Sequence, residues 1–220
     1  MSSRATGRVI GTLFLAAFVV YIAGNALVGA EPGADVLPDV AAHPTRVAAG
    51  ALLMLVNSVV VAAIGVLAVP VLGPHDRLAA HAYLVGRAVE ATVLAVGVVF
   101  LLLLVPLARA DVDSPWGAVL VRGNHYAYQI AMMSLGVVGV LFCRVLLRAR
   151  LVPRFLAVWG LAGYAVFLAG AVLEVLGHGV GVALSVPGGL FEVALGVLLV
   201  ARGFPERAVA EVDAAYAAGR

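Results

Sequence analysis

The stretch Ala88-Val-Glu-Ala-Thr-Val-Leu-Ala-Val-Gly-Val-Val-Phe-Leu-Leu-Leu-Leu-Val-Pro-Leu107 carries one ionisable side chain, Glu90. Its 20 residues, coiled as a helix rising ~1.5 Å per residue, match the ~30 Å hydrocarbon core of a bilayer. A helix satisfies its own backbone hydrogen bonds, which lipid cannot do. The run is continuous rather than alternating, so it does not read as a strand of a membrane barrel. Working outward, similar runs predict six spans, at about 9–30, 47–69, 79–107, 124–147, 155–176 and 180–200. The fold class is therefore all-α, a polytopic six-transmembrane-helix bundle, read as one membrane domain over 1–220. Pro32-Gly33, Pro38, Pro70, Gly73-Pro74, Pro115, Pro153, Gly177 to Gly181 and Gly203 to Pro205 punctuate the joints.

Composition agrees. The chain is 64% apolar and 12% charged, against ~45–50% and ~25% for soluble domains. All 14 basic residues are Arg. A net charge of +2, with arginines flanking apolar runs, excludes a nucleic-acid binder. Cys143 is the only cysteine, so an intrachain disulfide or a paired-thiol redox site is excluded.

Arginine placement predicts orientation, because cytoplasmic flanks are enriched in basic residues. With both termini cytoplasmic, ten arginines fall inside: Arg4, Arg8, Arg77, Arg144, Arg148, Arg150, Arg154, Arg202, Arg207 and Arg220. Three fall outside, Arg46, Arg109 and Arg122, among the acids Glu31, Asp35, Asp39, Asp111 and Asp113. Arg4 and Arg8 followed by an apolar run also imitate a secretory signal. That run is ~20 residues, longer than the usual ~7–15, so a retained first span is expected.

Small and polar residues recur at steps of three and four, which keeps them on one helix face. Gly7, Gly11, Phe14, Phe18, Tyr21 and Asn25 form one such stripe. Gly50, Met54, Asn57 and Val61 form another, and Gly136, Gly139 and Cys143 continue a third that begins at His125. Such stripes are expected at helix seams, where small residues let backbones approach. Seams do not require carboxylates.

Glu192 stands in Leu190-Phe-Glu-Val-Ala-Leu-Gly-Val-Leu-Leu-Val200, with no basic residue nearer than Arg202. A charge at the bilayer centre costs at least ~2.5–3.5 kcal/mol, so such residues face the interior and mark function. Two states are physical: a neutral acid, or a carboxylate paired with a cation. Arg87 is the natural structural partner. Arg87 and Glu90 are three apart and share a face. Two registers stand for them, one with Arg87 snorkelling to the interface and one with the pair buried. Glu192, Glu90 and Arg87 are the candidate catalytic residues. A second polar patch, His125, Gln129, Glu174 and His178 with Asn25 and Asn57, is the candidate pocket lining. Two His and a Glu could ligate zinc. The spacing is not HExxH and each His lies near an interface, so no metal is expected. Haem is not expected either, because the His pair lies at helix ends. Gly177-His-Gly-Val-Gly181 lacks the preceding strand of a nucleotide loop and reads as a tight turn. No cofactor is expected.

The chain resembles the bacterial membrane family described as domain of unknown function 4386. The resemblance is carried by Arg4-Ala-Thr-Gly-Arg-Val-Ile-Gly-Thr-Leu-Phe14, by Arg87-Ala-Val-Glu-Ala91, and by Leu141 through Gly160 with its Val152-Pro-Arg154 turn. Pro187-Gly-Gly-Leu-Phe-Glu-Val-Ala-Leu-Gly196 and Arg202-Gly-Phe204 complete it. An Arg stands before the closing Gly-Phe where Lys is common in the family. The resemblance implies a six-span bundle in a bacterial cytoplasmic membrane and names no substrate.

Three function classes follow. In the first, the bundle binds a lipid-soluble small molecule, and Glu192 acts as a buried acid in an isoprenoid-like isomerisation or cyclisation. Glu90 or His125 would then be the base. The second is a proton-coupled transporter, although no inverted repeat is evident. The third is a structural or accessory membrane subunit. Membrane lipid is the expected partner in all three.

Overall fold

A computed structural model of the chain describes residues 2–30 and 35–205. Glu31, Pro32-Gly33, Arg207 and Arg220 lie outside the described residues. Seven helices follow in order: α1 (Ser3–Val28), α2 (Leu37–Ala42), α3 (Pro44–Leu72), α4 (Arg77–Ala110), α5 (Trp116–Arg148), α6 (Arg154–Val175) and α7 (Gly181–Arg202). Six of them, all but α2, are long and apolar enough to cross a membrane. The chain is thus a multi-pass, membrane-spanning helical protein.

Local chemistry sets the helix ends. Ser2 accepts from Ala5 N at 3.2 Å to start α1, and Asp76 accepts from Ala79 N at 2.9 Å to start α4. Each satisfies an amide that has no partner within the helix. Gly177 and Gly179 adopt left-handed φ of 89° and 63°, which lets the chain turn sharply from α6 into α7.

Two expectations change. Pro70 does not end its span; α3 continues through it to Leu72, and Pro106 and Pro187 also lie inside helices. Membrane helices tolerate proline because neighbouring groups satisfy the freed carbonyls. The fourth span begins at Trp116 rather than near Asn124.

Each spanning helix packs on its neighbours in sequence, and α7 returns to α1. The six therefore form a closed ring rather than two layers. Residues such as Val19, Ile22, Val59, Val66 and Val182 stand exposed on the outside. Phe14, Tyr83, Phe142, Tyr164 and Phe191 fill the inside. The short α2 covers one end of the α3–α4 side, with Leu37 and Val40 buried.

The ring closes on glycine. A Cβ on Gly11 of α1 would stand 2.7 Å from the Gly196 carbonyl oxygen and 2.8 Å from Val200 N of α7. Only glycine admits that approach, which fixes where the first and last spans cross.

Candidate functional site

Arg87 and Glu90 lie on the inner face of α4, both 2% exposed. The buried register is thus the one observed. The Arg87 Nη1 donates to Glu90 Oε2 at 2.9 Å. The guanidinium also stands 5.7 Å from the Phe14 and Tyr83 ring centroids, within cation–π range. A buried ion pair needs such compensation, because two charges removed from water lose several kcal/mol each.

Glu192 projects from α7 and accepts the Tyr164 hydroxyl of α6 at 2.7 Å. The expected Arg87–Glu192 bond is therefore corrected. Arg87 spends its hydrogen bond on Glu90, one helical turn away, and a tyrosine from the adjacent helix takes Glu192. Tyr164 is held edge-on against Phe167 and Phe191, with centroids 6.5 and 5.6 Å away. Its ring lies against Gly139 of α5, where a Cβ would come within 2.6 Å. The glycine stripe of α5 is thus a socket for the Tyr164 ring as well as a seam.

Arg87, Glu90 and Glu192 line one cavity of about 140 Å³ at the middle of the ring. All six spanning helices contribute to it. Phe14, Phe18 and Tyr21 come from α1, Asn57 from α3, Tyr128 and Met132 from α5, Phe167 from α6, and Ser185 and Gly189 from α7. The Tyr21 and Tyr128 rings stack at 5.6 Å. Glu192 sits deep among protein atoms yet keeps accessible surface, because it faces this space. One guanidinium is thus set against two carboxylates in an otherwise apolar, aromatic chamber. Such a chamber can hold a small molecule, pass it a proton and shield a positive charge that forms on it.

The other candidates are dispersed. Asn57 is buried and lines the cavity. Gln129 is buried and lines a smaller pocket of about 30 Å³ that shares Tyr128, Met132, Phe167 and Ser185 with the main one. His125 pairs with Glu174, Nε2 to Oε1 at 3.3 Å. The other Glu174 oxygen accepts from Gly181 N at 2.7 Å. Val180 gives α7 no side-chain cap, so Glu174 supplies the carboxylate that a helix N-terminus favours. This pair braces the α6–α7 turn and does not line the main cavity. His178 is exposed in that turn, and Asn25 is exposed on α1; neither lines the cavity or the pockets beside it. Among the described residues, no group of three or more His, Cys, Asp or Glu is placed to hold a metal.

Tyr164 and Tyr83 were not singled out by sequence. The available signal was a tyrosine hydroxyl within an apolar span, which needs a partner when buried. Tyr83 is fully buried, and among the described residues neither its hydroxyl nor Arg87 Nε has a hydrogen-bond partner.

A family model described as domain of unknown function (DUF4386) matches residues 9–203. The chain belongs to the DUF4386 family. The match reaches all six spanning helices and includes the Arg87–Glu90 pair, Tyr164 and Glu192. No curated protein and no solved structure matches the chain.

Proposed function

We propose that this DUF4386 protein binds a lipid-soluble small molecule in the central cavity and converts it by acid–base chemistry. The observation that carries the reading is the convergence of two carboxylates, Glu90 and Glu192, on one cavity with a single guanidinium. Glu192 is the acid, oriented by the Tyr164 hydroxyl. Arg87 is the electrostatic partner and Glu90 the base. His125 is engaged by Glu174 outside this cavity, so the base role falls to Glu90.

The cavity of about 140 Å³ is close to the ~150 Å³ known to accept benzene. That suits one isoprene unit of a longer chain. In an isomerisation, Glu192 adds its proton to one carbon of a double bond. Glu90 removes a proton from the carbon next to the resulting cation, and the double bond moves by one position. The product has the composition of the substrate, and the site resets when Glu90 gives up its proton and Glu192 takes up another by exchange with water. Phe18 and Phe167 line the same cavity, and their rings would stabilise the transient cation.

The whole of 1–220 acts as one membrane domain in this reading. It sits in the bacterial cytoplasmic membrane with both termini inside, as the arginine distribution supports. Transport gains no specific support. The α1–α7 seam is tight at Gly11 and Gly196, on the side expected to face the cytoplasm. A purely structural subunit would not need Glu192 beside an open cavity.

The test is hydrogen exchange. Membranes containing the protein are incubated in D₂O, and their lipid-soluble fraction is analysed by mass spectrometry. The proposal expects carbon-bound deuterium in one compound with wild type and none with Glu192→Gln. Equal incorporation in the two would refute it.

A further inference from the structure

We propose that the cavity takes its ligand sideways from the bilayer, through the seam between α1 and α7. The ligand is then a single-chain amphiphile whose small head carries no negative charge. This inference rests on reading the cavity as a ligand site, and it names the route and the ligand class.

The cavity wall is uneven. Its lining residues on α3 and α4, such as Asn57, Arg87 and Glu90, are buried. Those that keep accessible surface are, apart from Tyr128, on α1 and α7: Ala17, Phe18, Tyr21, Ser185, Gly189 and Glu192. The opening therefore lies between the first and last spans.

Packing explains why. The two helices pack tightly at Gly11 and Gly196, with Leu15 against Gly196. Beyond that crossing each leans to its other neighbour. A Cβ on Gly24 of α1 would stand 2.8 Å from the Gly50 carbonyl of α3. A Cβ on Gly170 of α6 would stand 2.6 Å from Leu184 Cβ of α7. Held to different neighbours, the two helices would part in a V beyond the crossing. There a Cβ on Gly189 would meet only the Phe18 ring, at 3.7 Å, which is ordinary contact.

The flanks of the V are apolar. Val19 and Ile22 are 67% and 62% exposed, and Val182 and Val186 are 78% and 51% exposed. These residues belong to membrane-spanning helices, so the opening faces lipid tails rather than water. A molecule entering here leaves its apolar chain among the lipids and passes its head between Phe18 and Gly189.

Size and charge define the head. A cavity of about 140 Å³ admits a group near the size of benzene, which a ~150 Å³ cavity holds. Arg87 is already matched by Glu90, and among the described residues no cation is bonded to Glu192. A phosphate, sulfate or carboxylate head would face that acid with no free guanidinium to balance it. A hydroxyl or amide head would find the polar edges of Asn57, Ser185 and Glu192.

The test uses protein in nanodiscs and two photoreactive probes. One is a hexadecanol with a diazirine beside the hydroxyl; the other is the matched hexadecyl sulfonate. Labelled residues are mapped by mass spectrometry. The alcohol is expected to label Tyr128, Met132 or Leu135 in wild type. Gly189→Leu, and independently Ser185→Leu, should cut that labelling at least ~fivefold, equivalent to about 1 kcal/mol, without changing labelling of Val182. The sulfonate should label the cavity at least ~fivefold less than the alcohol.

Undiminished cavity labelling in both variants, each melting as wild type does, overturns the route. Equal labelling by the sulfonate overturns the head class. Absence of cavity labelling in wild type overturns the proposal outright. Loss of deuterium incorporation in Glu192→Gln alongside undiminished labelling in the seam variants would sink the route and leave the acid reading standing. Seam-dependent labelling with unchanged deuterium incorporation would do the reverse.

Discussion

Replacing Arg87 by Met strands Glu90 in a site where it is 2% exposed. Breaking a buried ion pair from one side costs about 3–5 kcal/mol, because the remaining charge has lost its compensation. The second substitution, Glu90→Leu, should return most of that loss. The coupling between them can be bounded from the geometry. Two unit charges ~4 Å apart at an effective dielectric of ~20 attract by about 4 kcal/mol. A hydrogen bond to a charged group nets about 1.5–3 kcal/mol. The 2.9 Å Arg87–Glu90 bond should therefore show a coupling of about 2–4 kcal/mol in a double-mutant cycle. The Arg87–Glu192 cycle, using Glu192→Gln, should give less than about 1 kcal/mol, since a protonated Glu192 offers Arg87 neither an opposite charge nor a shared hydrogen bond. The assay is equilibrium unfolding in mixed micelles, followed by the fluorescence of Trp116 and Trp159. A larger coupling for Arg87–Glu192 than for Arg87–Glu90 would refute the arrangement of the site.

Three further outcomes are expected. Gly11→Ala should weaken the ring by about 1–3 kcal/mol, as overpacking does, because the neighbouring backbone at 2.7–2.8 Å cannot yield without parting α1 from α7; unchanged micelle unfolding would contradict the crossing. Glu174→Ala should cost about 1–3 kcal/mol by freeing the Gly181 amide at the start of α7, and Glu174→Gln should recover part of it; equal stability of all three proteins would remove the capping role. His75 sits in the α3–α4 turn, and burial lowers its pKa from the usual value. The unfolded chain therefore binds that proton more readily, so stability from this group is intact above about pH 6.5 and falls as pH drops below it. His75→Gln should flatten that part of the melting-temperature profile between pH 7.5 and 5.5, and an unaltered slope would refute it.

The six spans were legible because length and apolar continuity alone decide them. The six-residue α2 was not, being too short for a periodic signal and held by Leu37 and Val40 against the long helices. Pro70 was misread as a joint because proline breaks helices in water more readily than in a bundle. Within the site, Arg87 and Glu90 were legible as an i, i+3 pair, and Glu192 as a charge without a nearby cation. What joins them was not legible. Ring closure between α1 and α7 is a contact between the two ends of the fold, and one chain's periodicity does not report it. Tyr164 was hidden for the same reason: its hydroxyl reaches Glu192 across 28 positions. The second polar patch shows the converse error. Glu174 and His178 are one turn apart in sequence, yet the helix ends at Val175 and the turn carries His178 into solvent.

The most direct test of the central cavity as a ligand site is mass spectrometry of small molecules retained by the purified protein. Wild type should hold one lipid-soluble compound with a small non-anionic head near one per chain, and Glu192→Gln, folded to the same melting temperature, should have lost it. Identical retained compounds in both proteins, in the proportions of the surrounding membrane, would contradict the account.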